Sequence, residues 1–379
     1  MNASGMSATD LVGALVSIDS VNPGLDPAGA GEAQIAAYVA EWGRSAGLRT
    51  EILEGTAGRP SVVLRGGRDQ GGRRLLLCGH LDTVSVAGNP DAIRPRIEGD
   101  RLYARGAYDM KAGLAAALIA CRDAALAGIN GQVIVVAVAD EELASAGIQE
   151  VLAHLDPTGI DGAVVTEPTE RQVGTAHRGF VWTEVTVTGV AAHGSRPHLG
   201  ADAILAAGHH LVAFDHLDQQ LRARPHPFLG PGNLHASLIS GGTGESTIPD
   251  HCAFTVERRT LPGETIERLE ADVAELLDRC RPADPRLTVS ARTVLHRPPM
   301  ETPATVAIVE ALVAAAGPGT DVAPMSYWAD SAFIAAAGIP TVLYGPEGEG
   351  AHADIEWASL AGTSTVAAVL TQLARDFCS

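Results

Sequence analysis

Histidine and acidic residues stand at five places where a predicted strand ends or a predicted helix begins. These residues are His80 with Asp82, Asp109, the run from Asp140 to Glu142, Glu167, and His352. Ligands of an open α/β sheet bind at the carboxyl ends of its strands, so we expect these side chains to lie close together. Imidazole nitrogen with carboxylate oxygen suits Zn²⁺, Co²⁺ or Mn²⁺, and several carboxylates allow two ions that one of them bridges. One such residue alone would more often lie on the surface or cap a helix, but the five places together predict a metal centre.

The spacing of His80 and Asp82 in the segment GHLDTV has a physical reason of its own. Alternate residues of a strand point the same way, so the Asp82 carboxylate could hold the second ring N–H of His80 and set its tautomer. The run Asp140-Glu141-Glu142, taken alone, could mark a helix N-terminus, where negative charge is favoured. Beside the other four places, we interpret this run as part of the metal centre.

These residues need a sheet to position them, and the first part of the chain alternates strand-like with helix-like segments. The predicted strands are 61–65, 74–80, 132–140 and 163–167. The predicted helices are 31–47, 112–127 and one near 144–155. Continuous apolar strands between helices indicate a largely parallel sheet with helices on both faces, which is an α/β fold.

The pattern changes after Gly174 and changes back near residue 293. In between, the strand-like segments 180–190 and 251–259 alternate apolar with polar residues, and the helix-like segments are 201–214 and 263–279. Half-exposed strands with two helices suggest a smaller α+β domain with one solvated sheet face. The returning α/β pattern consists of helices 303–315 and 330–337, strand 340–344 and a last helix to about 375. The sequence therefore predicts a discontinuous α/β domain, 1–174 and 293–379, with a domain inserted at 175–292.

The composition of the chain excludes several classes of protein. The 379 residues include 27 basic and 45 acidic ones, which gives a formal net charge of −18 and argues against binding to nucleic acid or to an anionic membrane. No apolar run reaches the ~18 residues of a spanning helix, and residues 1–22 lack the pattern of a secretory signal. The five cysteines are far apart and form no C-x-x-C pair, as is typical of reduced thiols. We therefore expect a cytoplasmic protein.

At the level of motifs, the chain resembles the M20 family of two-metal amidohydrolases and exopeptidases. The motifs of the predicted α/β domain are GHLDTV, RGAYDMKAG, ADEE at 139–142, VTEPT at 165–169 and GAHADIEW near the C-terminus. Those of the insert are AHRG at 176–179, GVAAHGSRPHLGADAI at 189–204 and ERRTLPGE at 257–264. They occur in family order over nearly the whole chain, and the branch of acetylornithine deacetylase, succinyl-diaminopimelate desuccinylase and glutamate carboxypeptidase is the most similar.

The resemblance implies a set of metal ligands and a general base. Asp109 would bridge two divalent ions, of which zinc is the first expectation and cobalt or manganese the alternatives. One ion would add His80 and Glu167, and the other would add Glu142 and His352. Asp82 would orient His80, and Glu141 would be the general base. Because the branch that hydrolyses ureido compounds has histidine at the position of Glu167, the glutamate favours the deacylase and carboxypeptidase side.

The insert would supply substrate contacts and a dimer interface, so it is expected to act as a lid or dimerisation domain. His193 would stabilise the oxyanion, and in relatives this histidine comes from the neighbouring subunit of a homodimer. Arg259 would grip the α-carboxylate of the substrate, while Arg258, on the opposite side of the strand, is expected to be solvated. Glu245 stands where relatives have a neutral amide, and Asp330 follows a segment that differs from theirs, so both are candidate substrate-binding residues.

Three functions remain open at this point. The first is a deacylase that cleaves the amide bond of an N-acyl amino acid or a related small compound. The second is a metallo-exopeptidase, either a carboxypeptidase or a dipeptidase, acting on short peptides. The third is a binding protein without catalytic activity, although all five ligand positions and Glu141 are present. A serine hydrolase lacks support, because the chain has no G-x-S-x-G segment.

Overall fold

The computed structural model describes residues 3–86 and 89–379. Residues 1, 2, 87 and 88 of the predicted first segment lie outside the described residues. The α-helices are α1 Ala8–Val16, α2 Ala33–Ser45, α3 Ala112–Ala127, α4 Ala146–His154, α5 Ala203–Arg222, α6 Ile266–Arg279, α7 Ala307–Ala316, α8 Ser331–Ala336 and α9 Leu360–Phe377. All the helices predicted from the sequence are among them.

The strands include all those expected from the sequence and several shorter ones that were not. They are β1 Arg49–Leu53, β2 Ser61–Gly67, β3 Arg74–His80, β4 Arg96–Glu98, β5 Arg101–Tyr103, β6 Gln132–Val138, β7 Gly162–Val165, β8 Val173–His177, β9 Gly179–Thr188, β10 Ala192–His193, β11 Asn233–Gly241, β12 Thr247–Ile248, β13 His251–Thr260, β14 Thr288–Arg297, β15 Met300–Glu301, β16 Val322–Met325, β17 Thr341–Leu343, β18 Gly348–Glu349 and β19 Trp357–Ser359.

The chain divides into two compact units, of which the first is Met1–Thr175, Thr302–Met325 and Ala329–Ser379. Its main sheet has the order β1-β2-β6-β3-β7-β17-β8. The central strands β6, β3, β7 and β17 run parallel, whereas β1 and β2 are antiparallel at one edge. Every residue of β6 is buried, which explains its continuous apolar sequence. The predicted α/β fold with a mostly parallel sheet is confirmed.

Helix α3 packs closely on this sheet and on helices α1 and α9. Most of its residues are fully buried, so an Ala-rich and Leu-rich helix without a polar face fits its position. At its first turn, a Cβ on Gly113 would lie 1.8 Å from the carbonyl oxygen of Thr166. Only glycine permits this approach, which fixes the start of α3 against the residue that precedes Glu167.

The first unit also contains a second, small sheet. Two of its strands, β18 and β19, adjoin the C-terminal motif GAHADIEW in the sequence. Its antiparallel order is β18-β19-β5-β4, with Trp357 opposite Tyr103. The pairing of β19 with β5 therefore brings the loop after β5, which carries Asp109, near the loop before β19, which carries His352.

The second unit comprises Ala176–Glu301 and Ser326–Trp328. Its antiparallel sheet has the order β11-β13-β9-β14, and buried residues alternate with more exposed ones along β9 and β13. Helices α5 and α6 pack on the buried face, around Phe214, Phe254 and Leu276. That this unit acts as a lid or in dimerisation stays a prediction.

The expectation that Arg258 is solvated was wrong. The even-numbered residues of β13 face the helices, so Arg258 is buried and its guanidinium pairs with Asp272 on α6, over 2.8 Å, and with Glu264. A buried guanidinium needs carboxylate partners, and these two residues supply them.

Within residues 3–86 and 89–379, none of the helices combines the length and the apolar character needed to span a bilayer. The five cysteines are free thiols, four of them buried. The cytoplasmic location stays a prediction.

Candidate metal centre

The first group of potential metal ligands consists of His80, Asp109 and Glu167. His80 is the last residue of β3, Glu167 follows β7, which pairs with β3, and Asp109 precedes α3. The His80 Nε2 atom lies 3.1 Å from Asp109 Oδ1 and 3.9 Å from Glu167 Oε1. One donor atom from each residue thus lies within 4.8 Å of the others, a spacing at which they could share an ion.

The second group consists of Asp109, Glu142 and His352. The His352 Nε2 atom lies 3.3 Å from Asp109 Oδ2 and 3.0 Å from Glu142 Oε2. Asp109 therefore presents one carboxylate oxygen to each histidine and belongs to both groups. This is the arrangement that a bridging carboxylate requires.

The charges of the two groups fit divalent cations. Burial raises the pKa of Glu167 and of Glu142, and the nearby carboxylate of Asp109 raises both further. Hydrogen bonds to Asp109 and Glu142 raise the pKa of His352 to about 10, and although burial opposes it, Asp109 also raises the pKa of His80. Crowded carboxylates thus draw protons onto both imidazoles, which shows that the site attracts positive charge. The donor set of imidazole nitrogen and carboxylate oxygen suits zinc and similar ions.

Glu141 lies beside these groups but belongs to neither of them. Burial raises the pKa of its carboxyl group; the charges of Asp330 and Glu167 add to this effect, while His80 opposes it. Asp330 is buried just before α8 and also raises the pKa of Glu167. The first unit thus brings Asp330 near the predicted base and ligands.

Asp82 holds His80 through its main chain instead of its carboxylate. The His80 Nδ1 atom is 2.9 Å from the Asp82 carbonyl oxygen but 3.7 Å from Oδ1, so the expected carboxylate contact is wrong. The carboxylate instead accepts the backbone N–H groups of Glu141, at 3.1 Å, and Glu142, at 3.3 Å. Asp82 therefore fixes both the ring of His80 and the turn that carries the two glutamates.

A buried polar network, which we did not foresee from the sequence, supports that turn. Asn22 Nδ2 donates to Asp82 over 2.8 Å and to Asp140 over 3.0 Å. Arg59 pairs with Asp140 and with Glu32, whose side chain is fully buried. Asp140 adopts a left-handed conformation, with φ of 66°, that aspartate adopts more readily than most residues. No periodic pattern marks these polar residues, so the sequence carried no signal for the network.

His193 and Glu245, two predicted substrate-binding residues of the second unit, are brought near each other by the pairing of β10 with β12. His193 is exposed in β10 and pairs with Thr247 of β12, which follows the exposed Glu245 by two residues. Its Nδ1 atom accepts the backbone N–H of Ser195 at 3.2 Å and lies 2.8 Å from the Ser195 hydroxyl. Because Nδ1 is an acceptor, the neutral ring carries its proton on Nε2.

Arg259 faces the side of β13 opposite to the helices. Its Nε donates to Glu257 over 2.6 Å, and its guanidinium carbon lies 5.0 Å from the ring centroid of Phe180. Glu257 also accepts the indole N–H of Trp182 over 2.7 Å. The side chain of Arg259 is 37% exposed, so part of its guanidinium is accessible to a ligand.

Comparison with known proteins bears directly on this metal centre. Residues 76–376 match the model of peptidase family M20/M25/M40. The chain belongs to this family. This member of the M20 family is 31% identical over 330 residues to acetylornithine deacetylase of Myxococcus xanthus, an alignment that covers 84% of this chain and 83% of the relative. The resemblance recognised in the motifs is confirmed, and the M20 protein is a metal-dependent amidohydrolase.

Solved structures share the fold of this M20 protein at low sequence identity. Aminopeptidase PepT from Bacillus cereus has a TM-score of 0.78 at 20% identity, with 98% of each chain covered. A dinuclear metal binding peptidase of the M20 family from Bacillus subtilis has a TM-score of 0.73 at 15% identity, with 97% of each chain covered.

Proposed function

We propose that this M20 protein is a deacylase that hydrolyses the amide bond of a small N-acyl amino acid with the help of two zinc ions. The main support for this proposal is the position of Asp109, whose two carboxylate oxygens each approach a different histidine. Glu141, in contrast, belongs to neither group of potential ligands. The deacylase is favoured over the peptidase because the relative at 31% identity is acetylornithine deacetylase.

Glu141 is proposed as the general base. When bound, two divalent cations would polarise an amide carbonyl and lower the pKa of a water molecule. Glu141 would take a proton from that water as the water oxygen bonds to the carbonyl carbon, and would pass the proton to the nitrogen of the amine that leaves when the C–N bond breaks. The raised pKa of its carboxyl group supports this role, because a base must hold the proton before it releases it.

His193 is proposed to stabilise the oxyanion. Since Ser195 holds Nδ1 as an acceptor, the Nε2–H group remains as the donor of the neutral ring. A fixed donor aimed at a developing negative charge is the usual device for this purpose. As in relatives, the histidine would act on the metal centre of a partner subunit.

Arg259 and Glu245 are proposed to select the substrate. The guanidinium of Arg259 offers two parallel donors that match an α-carboxylate, and the contact with Glu257 fixes its orientation. The carboxylate of Glu245 would favour a neutral or cationic side chain over an acidic one. Asp330 is proposed as a further substrate contact on the first unit.

A homodimer formed through the second unit is part of this proposal. Its strand β11 is an edge of the sheet and exposes Leu238 and Ile239 by 70% and 61%. An exposed apolar edge strand is a template for pairing with a second copy. Leu238→Glu should therefore shift the sedimentation coefficient from dimer to monomer. Leu126→Glu, at an equally exposed leucine of α3, is the control and should leave it unchanged.

A substrate panel tests the proposed reaction. Purified protein is incubated with N-acyl amino acids and dipeptides, and the released amine is detected by mass spectrometry, with Glu141→Gln as the inactive control. We expect faster release from N-acyl amino acids with neutral or cationic side chains. Preference for dipeptides would assign an exopeptidase instead, and the absence of turnover on every amide would overturn both functions.

A further inference from the structure

The carboxylate of Glu356 is buried next to the loop that carries Asp109. It accepts backbone N–H groups from that loop, with Oε2 2.9 Å from the nitrogen of Gly106 and Oε1 2.9 Å and 3.0 Å from those of Tyr108 and Asp109. The guanidinium of Arg105 adds a fourth donor, with Nη1 2.7 Å from Oε2. Each carboxylate oxygen thus accepts two hydrogen bonds.

This set of contacts requires a carboxylate. An ionised glutamate is a pure acceptor with about four lone-pair positions, which match the four donors here. A glutamine at the same place could accept only through one oxygen. Its NH₂ group would face two N–H groups of the protein in either orientation, so two donors would lose their partner.

Glu356 also connects two ligand segments that lie far apart in the sequence. It follows His352 in the motif GAHADIEW, and the loop that it holds contains Asp109. Arg105 strengthens the same link, because its Nη2 donates to the carbonyl oxygen of Ala353, the residue after His352, over 2.8 Å. Asp109 and His352 contribute to the same group of potential ligands.

We propose that Glu356, together with Arg105, is a positioning residue that sets the distance between Asp109 and His352. It thereby sets the affinity of the protein for the ion that Asp109 and His352 would share. This inference rests on the proposed two-metal hydrolase. Glu356 is in neither group of potential ligands, and both residues would act through the segments that carry Asp109 and His352. Groups that orient metal ligands commonly change metal affinity by about 10–100-fold when they are altered.

The test compares Glu356→Gln with Asp354→Asn, a matched removal of one carboxylate from an exposed residue of the same segment. Apoprotein of each variant is titrated with Co²⁺ in the presence of a competing chelator, and binding is followed by the visible absorption of bound cobalt. Thermal unfolding of the apoprotein is measured in parallel. We expect Glu356→Gln to weaken one of two binding steps by ~10–100-fold while Asp354→Asn binds like the wild type.

Unchanged affinity for both ions in folded Glu356→Gln protein would overturn the inference, and a lowered unfolding temperature with unchanged affinity would assign a purely structural role. If Glu356→Gln does not fold, Arg105→Gln decides in the same way, with a smaller loss of affinity expected. Because the titration needs no substrate, its outcome is separate from the proposed function. A wild type that binds two ions but hydrolyses no amide would refute the deacylase and leave the positioning role to be decided by the titration.

Discussion

Arg59 and Asp140 form an ion pair away from solvent, with 2.9 Å between Nη2 and Oδ1. Asp140 begins the turn that carries Glu141 and Glu142, and the same guanidinium holds the buried carboxylate of Glu32. One arginine thus neutralises two acidic residues behind the metal centre. Burial and the charge of Asp82 raise the pKa of Glu32, whereas the hydrogen bond and the charge of Arg59 lower it.

Replacing this arginine should destabilise the protein. Arg59→Met leaves two buried carboxylates without their cation, so we expect the free energy of unfolding to fall by about 3–5 kcal/mol. Urea unfolding of the protein after a chelator has removed its metal, followed by circular dichroism, measures the change in the free energy of unfolding. Arg44→Met is the control, because Arg44 pairs with Glu41 on an exposed helix face and should change the stability by less than about 1 kcal/mol. Equal losses in the two variants would contradict the prediction.

Metal content should depend on which ligand is removed. Asp109 belongs to both donor groups, whereas Glu142 and Glu167 each belong to one. We therefore expect Asp109→Asn to lose both ions and Glu142→Gln or Glu167→Gln to lose mainly one. Mass spectrometry of the metals after dialysis measures the ratio of metal to protein. Retention of one tightly bound ion by Asp109→Asn would show that this carboxylate does not bridge.

Glu141 should be needed for turnover but not for metal binding, because its side chain is in neither donor group. Glu141→Gln removes the base without changing the size of the side chain. We expect kcat to fall by ~10²–10⁴-fold with unchanged metal content. If the variant instead loses metal and keeps its activity per bound ion, the roles of Glu141 and Glu142 are exchanged.

The stability of the protein should fall in mild acid because of His177. Burial lowers the pKa of this histidine to about 4, while in the unfolded chain it is about 6.5. Between these values the unfolded state binds a proton that the folded state does not, so stability is lost as the pH falls through this window. From pH 7 to pH 5 the loss from this group is about 2 kcal/mol.

His177→Gln should remove this part of the pH dependence. Denaturant unfolding at pH 7 and pH 5 measures the difference between the variant and the wild type. His235→Gln, at an exposed position of β11, controls for the removal of a histidine. If His177→Gln loses as much stability between pH 7 and pH 5 as the wild type does, the acid sensitivity comes from other groups.

Arg259 should matter only for substrates with a free α-carboxylate. Lysine keeps the charge but cannot offer two parallel donors, so Arg259→Lys should lower kcat/KM for such substrates. The methyl esters of the same compounds should be hydrolysed by the variant and the wild type at similar rates. Equal losses on both kinds of substrate, or reduced stability, would mean that Arg259 only holds Glu257 and Trp182 in the sheet.

The sequence predicted the α/β fold and the places of the potential metal ligands because both follow from regular patterns. Continuous apolar strands mark a buried parallel sheet, and residues at the ends of such strands meet at one edge, as His80 and Glu167 do. The inserted strands were recognised by their alternation. Each of these features can be recognised from residues that are neighbours in the sequence.

The supporting polar groups could not be predicted in the same way. Asn22 contacts Asp82 and Asp140, and Glu356 contacts Asp109, across long stretches of chain. A single buried polar residue in a loop has the same local sequence as an exposed one, so only tertiary structure distinguishes them. The wrong prediction for Arg258 has a related cause, since its partner Asp272 lies on α6 and its partner Glu264 lies in the loop before that helix.

The order of the strands has a consequence for biosynthesis. Strand β17 lies between β7 and β8 in the sheet, yet it is encoded after the whole insert, and His352 follows it. A chain that emerges from the ribosome N-terminus first therefore leaves the sheet open until the insert has been translated. By then His80, Asp109 and Glu167 have long been available, whereas His352 has not. In the proposed two-metal site, the group of His80, Asp109 and Glu167 would thus be available early, whereas the group that includes His352 would be complete only after the insert and β17 have been translated.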